Sequence, residues 1–112
     1  MSTTSEPNTP WIDVAAHDQL DPDFPLAVEA AGQKVGLYLK DDTVHAMEDV
    51  CPHAYALLSQ GFVENGMVEC PLHGAQFEIG SGKCLTEIGG RDLQCFATKV
   101  QDGRVFIQIT PV

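Results

Sequence analysis

Short β-branched and aromatic stretches, broken at regular intervals by turn-forming residues, set the hydrophobic pattern of this chain, and that spacing suits strands rather than helices. Strands are predicted at 11–15, 26–30, 34–40, 43–49, 67–70, 76–79, 95–101 and 104–110. Ala31-Gly32 and Asp41-Asp42 supply early turns, and Ser81-Gly82 ends the hairpin of the sixth strand. The clearest signal is Asp102-Gly103, which sits between two runs of alternating apolar residues and predicts a tight hairpin. One helical turn is expected at 54–59. The pattern makes the chain all-β and antiparallel, with residues 1–10 a loose polar tail and 11–112 a single domain.

Composition narrows the function. At 112 residues the chain is long enough to bury roughly 65% of the surface its unfolded form exposes, so it needs no disulfide framework. Six basic residues stand against sixteen acidic ones, a net charge of -10. That balance excludes nucleic acid as a partner, because phosphate neutralisation needs the opposite sign. It fits equally a merely soluble surface or electrostatic steering toward a basic face on a partner protein. The first ten residues hold no apolar signal segment, and no later run is long enough to span a bilayer, so no membrane is expected and the expected compartment is the reducing cytoplasm. Composition leaves the oligomeric state open, with a monomer as the default.

The chemistry is concentrated in two fragments, Cys51-Pro52-His53 and Cys70-Pro71-Leu72-His73-Gly74. Each offers one sulfur and one nitrogen, so a metal centre held between them would have a thiolate side and an imidazole side. A tetrahedral zinc site is the first competitor, but zinc modules usually space paired ligands two to four residues apart, whereas one residue separates Cys51 from His53. Buried cysteines with incidental histidines are the other alternative, and chance seldom pairs both so closely.

These two fragments resemble the cluster-binding loops of the Rieske family. The resemblance runs on from Val50 through Leu58-Ser59-Gln60-Gly61 to Val68-Glu69-Cys70, and then to Phe77 and Ser81-Gly82-Lys83. It implies a Rieske fold, an antiparallel β-sandwich with a small cluster-binding subdomain, about 46–80, built from the two loops. It also implies a Rieske-type 2Fe-2S cluster, with Cys51 and Cys70 on one iron and His53 and His73 on the other. The imidazole-bound iron, lacking thiolate charge, would take the incoming electron, which makes His53 and His73 the exit edge.

Rieske proteins of respiratory complexes add a disulfide between the loops, where this chain has Ala56 and Leu72. They also place serine and tyrosine hydroxyls beside the cluster sulfurs, where this chain has Ala75 and Phe77. Losing those donors lowers the potential, toward roughly -150 mV at the low end of the Rieske range. The chain therefore resembles the ferredoxin of a multicomponent aromatic-ring-hydroxylating oxygenase, an electron carrier rather than an enzyme. Its implied partners are a flavin-dependent NAD(P)H reductase and a terminal Rieske oxygenase. The small subunit of an assimilatory NADH-dependent nitrite reductase is the alternative. Unlike many relatives, the segment from Thr86 to Arg91 contains no proline, which leaves open whether Gly89-Gly90 covers the cluster.

The remaining chemistry-bearing residues receive structural readings. Cys84 and Cys95 are expected to be small buried hydrophobes, His17 and His45 ordinary polar residues, and Trp11 and Phe106 core anchors. Pro52, Ala54, Pro71 and Leu72 would form an apolar rim about the ligands, and Glu48, Asp49, Glu64 and Glu69 an acidic surround.

Overall fold

Residues 10–52, 56–72, 74–86 and 91–109 are described by the structure, which is a computed structural model. Among the described residues ten strands form three antiparallel sheets. The first contains β1 (Ile12–Ala16), β10 (Arg104–Ile107) and β9 (Thr98–Gln101), in that order. The second is ordered β2 (Leu26–Ala30), β3 (Gln33–Lys40), β4 (Thr43–Glu48) and β8 (Cys95–Phe96). The third is a meander of β5 (Phe62–Glu64), β6 (Met67–Glu69) and β7 (Gln76–Glu78). Short 3-10 turns lie at His17–Gln19 and Leu58–Gln60. Among the described residues no helix is long and apolar enough to cross a membrane.

Four two-residue hairpin turns have both central residues in the left-handed region. They are Ala31-Gly32 (φ 50° and 78°), Asp41-Asp42 (54° and 61°), Asn65-Gly66 (55° and 76°) and Asp102-Gly103 (53° and 76°). This backbone matches the natural twist of paired strands, which is why such short connections suffice. Asn65-Gly66 joins β5 to β6, a hairpin the sequence reading did not assign.

The alternation of β3 and β4 builds two cores on opposite faces of one sheet. Val35 and Leu37 of β3, with Val44 and Ala46 of β4, face the first sheet and pack with Ala15, Val105 and Ile107. Tyr38 and Met47, from the same two strands, face the other way and pack with Leu58, Val68, Phe77, Cys51 and Cys70. The second sheet thus has a sandwich on one side and the ligand-bearing lobe on the other. Four consecutive residues of β3, Val35 to Tyr38, are buried because both faces are covered.

Three expectations need correction. The strand read at 95–101 is two strands: β8 pairs with β4, and after Ala97 the chain crosses so that β9 pairs with β10. The helical turn expected at 54–59 is confined, within the described residues, to Leu58–Gln60. Trp11 and Phe106 are half-buried rather than core residues. Val105 and Ile107 take the inward positions of β10, so Phe106 faces outward, and its ring and that of Trp11 lie 5.4 and 4.8 Å from Lys99 Nζ.

Candidate metal centre

The two ligand loops close in the same way. Cys51 N–H donates to the Ala56 carbonyl at 2.9 Å, and Cys70 N–H donates to the Ala75 carbonyl at 2.8 Å. Each cysteine therefore opens a loop whose return lies five residues on. A bridge between Val50 and Leu57 braces the first loop, and Gly74 N–H to the Cys70 carbonyl at 3.2 Å tightens the second. The second loop is the β6–β7 connection, and β6 pairs with β5 directly after the 3-10 turn that follows the first.

Cys51 is 3% exposed and Cys70 is 1% exposed, and both belong to the second core. Two sulfurs under one apolar lobe suit soft, thiolate-bound metal. His53 and His73 lie outside the described residues, as does Ala54. Among the described residues no three His, Cys, Asp or Glu side chains gather to hold a metal. Of the four expected donors the described ones are thus the two cysteines, whose sulfurs suit one side of an iron-sulfur cluster.

Ala75 and Phe77 bring no side-chain hydroxyl to the end of the second loop. Ala75 and Phe77 are both fully buried in the cysteine-containing core. Ala56 is half-buried, while Leu72 is exposed at the loop surface. Of the apolar rim, Leu72 and Pro71 are exposed and Pro52 is half-buried.

The acidic surround is only partly at the surface. Glu64 is exposed, and Glu69 is half-buried with its Oε1 accepting from Gln76 Nε2 at 3.1 Å. Glu48 is committed elsewhere: it receives both Arg91 guanidinium nitrogens and the Gln94 N–H. That bond raises the Arg91 pKa further, and it fixes the chain just after residues 87–90, which lie outside the described residues together with the Gly89-Gly90 segment. Asp49 is the clear departure, a buried carboxylate rather than a surface one. Asp49 directly follows β4 and continues the inward alternation of Met47.

The other cysteines and histidines stand apart from the loops. Cys84 Sγ donates to the Thr86 carbonyl at 2.9 Å, and Cys95 Sγ donates to the Gly80 carbonyl at 3.5 Å. Both pack at the edge of the second core, and burial raises the Cys95 thiol pKa. His17 is exposed after β1, whereas His45 lies beside Gly80 on β4, where burial and then the Lys40 charge lower its pKa. Sequence reasoning missed Tyr38 and Ser59, since both act through contacts between distant segments.

Comparison with known proteins agrees with this geometry. The Rieske [2Fe-2S] domain model matches residues 10–97. The ferredoxin component of the naphthalene 1,2-dioxygenase/salicylate 5-hydroxylase systems of a Ralstonia species is 30% identical over 88% of this chain and 95% of its own length. The ferredoxin in a solved complex of reduced oxygenase and oxidized ferredoxin of carbazole 1,9a-dioxygenase aligns with a TM-score of 0.82 and 29% identity, covering 90% of this chain and 94% of its own. A putative NADH-dependent nitrite reductase small subunit from Mycobacterium tuberculosis aligns with a TM-score of 0.81 and 28% identity, covering 93% of this chain and 98% of its own. With matched cysteine loops on a shared apolar lobe, this chain belongs to the Rieske [2Fe-2S] family, whose cofactor is a Rieske-type 2Fe-2S cluster.

Proposed function

We propose that this chain is the ferredoxin component of an aromatic-ring-hydroxylating oxygenase system, carrying single electrons in the cytoplasm from a flavin-dependent NAD(P)H reductase to the Rieske centre of the terminal oxygenase. Residues 11–112 act as one domain, with 46–80 as the part that holds the cluster. Cys51 and Cys70 bind one iron, and His53 and His73 bind the other. When bound, the cluster supplies reversible one-electron chemistry at low potential. The chain's own contribution is to bury the thiolate side, fix both loops through their matched backbone closures, and withhold hydroxyl donors from the sulfurs.

The observation that carries this reading is the fully buried pair Ala75 and Phe77 beside Cys70. Hydroxyl donors there would stabilise the added charge of the reduced state. Replacing Ala75 by Ser and Phe77 by Tyr together is expected to raise the midpoint potential by at least about 59 mV, a tenfold change in a one-electron equilibrium. Protein-film voltammetry reads this directly, and an unmoved potential would mean the side chains do not reach the sulfurs.

The nitrite reductase subunit is the weaker second reading, kept because such a subunit aligns with a TM-score of 0.81. Reconstitution separates them. The reduced protein is expected to sustain dioxygen-dependent hydroxylation by an aromatic-ring oxygenase and to leave nitrite reduction by the partner large subunit unsupported. The reverse result would replace the proposal with the alternative.

A further inference from the structure

Asp49 lies two residues before Cys51 and is 1% exposed. Ser59 N–H donates to its Oδ1 at 2.7 Å, and the Ser59 hydroxyl donates to its Oδ2 at 2.6 Å. The Asp49 backbone is held as closely, with its N–H on the Lys34 carbonyl at 3.0 Å and its carbonyl receiving Leu58 N–H at 2.7 Å. This residue ties β3, the first ligand loop and the Leu58–Gln60 turn together. An asparagine could make the same tie. Among the described residues the ion pairs are Arg91 with Glu48 and Arg104 with Asp13, so neither includes the Asp49 carboxylate. Burying a carboxylate is costly, which calls for a role that a neutral side chain would not fill.

Tyr38 supplies a second observation. Its hydroxyl is buried with no hydrogen-bond partner among the described residues. A Cβ built on Gly36 would lie 3.2 Å from both the Tyr38 hydroxyl and Asp49 Oδ1. The phenol and the carboxylate thus flank one another across a residue without a side chain. Burial first, and then the Asp49 charge, raise the Tyr38 pKa, so the phenol stays protonated beside the carboxylate.

We propose that Asp49 is a positioning residue of a particular kind: a fixed buried negative charge that holds down the reduction potential of the cluster, with Ser59 setting how much of that charge the thiolate side feels. The proposal rests on the assignment of Cys51, His53, Cys70 and His73 as ligands. Two residues of chain span at most about 7 Å, so the carboxylate stays near the first thiolate. A unit charge about 10 Å away at an effective dielectric near 20 changes a one-electron equilibrium by about tenfold.

The test is redox titration of three variants, each first checked for iron and sulfide content and for its visible spectrum. Asp49→Asn keeps an acceptor for the Ser59 N–H and removes the charge. Its potential is expected to rise by about 59 mV, the equivalent of tenfold. Ser59→Ala removes the hydroxyl that shares the charge, so its potential is expected to fall. Opposite signs are the signature, because a loosened loop would move both variants the same way. Asp102→Asn, which removes an exposed charge in the β9–β10 turn, is expected to leave the potential in place. An Asp49→Asn potential equal to or below that of the unmodified protein overturns the proposal. Should that variant fail to hold a cluster, Ser59→Ala decides alone, and an unchanged or raised potential overturns the proposal. Failure of the ligand assignment is distinguishable, since the unmodified protein would then lack a Rieske-type spectrum.

Discussion

Replacing Cys51 or Cys70 by serine is expected to abolish the iron-sulfur chromophore and leave the purified protein without stoichiometric iron and sulfide. A serine oxygen is a harder and far less acidic donor than a thiol, so it holds iron poorly in a site built for thiolate. Both positions are nearly closed to solvent, so a more polar hydroxyl there is also taken out of water. Losing the metal removes its binding free energy from the folded state as well, so thermal stability should fall by more than the side-chain exchange explains. Cys84→Ser and Cys95→Ser are the controls. Their sulfurs reach backbone carbonyls outside the loops, and both variants are expected to keep the chromophore. Metal and sulfide analysis of the four proteins decides it, and a fully loaded Cys51→Ser protein would remove Cys51 from the ligand set.

Gly61→Ala should be the most damaging substitution outside the ligands. A Cβ there would lie 1.9 Å from the Glu69 carbonyl oxygen and 3.2 Å from that of Leu58, and both obstacles are backbone. Nothing about the local dihedrals demands glycine, since φ is -89°. The requirement is space: Gly61 lets the segment after the 3-10 turn press against the last residue of β6, and the next residue is Cys70. Adding a methyl group must push β6 aside and displace the second ligand loop. The expected cost exceeds about 4 kcal/mol, a fall in Tm of roughly 20 °C or more for a domain of this size. Gly103→Ala offers the contrast. Its added Cβ meets nothing within 4 Å, but φ is +76°, so its cost is that of a left-handed alanine alone, about 1–2 kcal/mol. Chemical denaturation of both variants should separate the two by a wide margin. Equal, small losses would mean the approach of β6 to Gly61 relaxes freely.

Much of the architecture was legible because turn chemistry is local. The strand at 26–30 has the same bounds in the structure, and those at 34–40, 43–49, 67–70 and 76–79 differ by a residue at one end. Ala31-Gly32, Asp41-Asp42 and Asp102-Gly103 each form the turn expected of them. The strand β5 escaped notice because Phe62–Glu64 is too short to show a period, even though Asn65-Gly66 beside it is a strong hairpin signal. The break at Ala97 was invisible for another reason. The run from Cys95 to Gln101 is uniformly strand-like, and only the competition between β4 and β10 for pairing divides it.

The site divides along the same line. The types and spacing of Cys51, His53, Cys70 and His73 identify the family, because metal ligation constrains which donors occur and how far apart they lie in the loops. By the resemblance, Ala56, Leu72, Ala75 and Phe77 point to the kind of Rieske protein, because they stand at the positions of the disulfide and hydroxyl groups of the respiratory members. Those inferences need only the order of residues. Whether a charged side chain faces water or protein is set by the whole fold, and the acidic residues show it: Glu64 is exposed, Glu48 is bound to Arg91, and Asp49 is buried beneath Ser59. Sequence by itself determined an all-β Rieske chain, and it named the proposed donors and a proposed low-potential site, since local chemistry and spacing carry that information. Tertiary structure alone decided that one sheet serves two cores, that Gly61 must yield its space to β6, and that a carboxylate lies buried beside the first cysteine, since each depends on segments far apart in the chain meeting at one place.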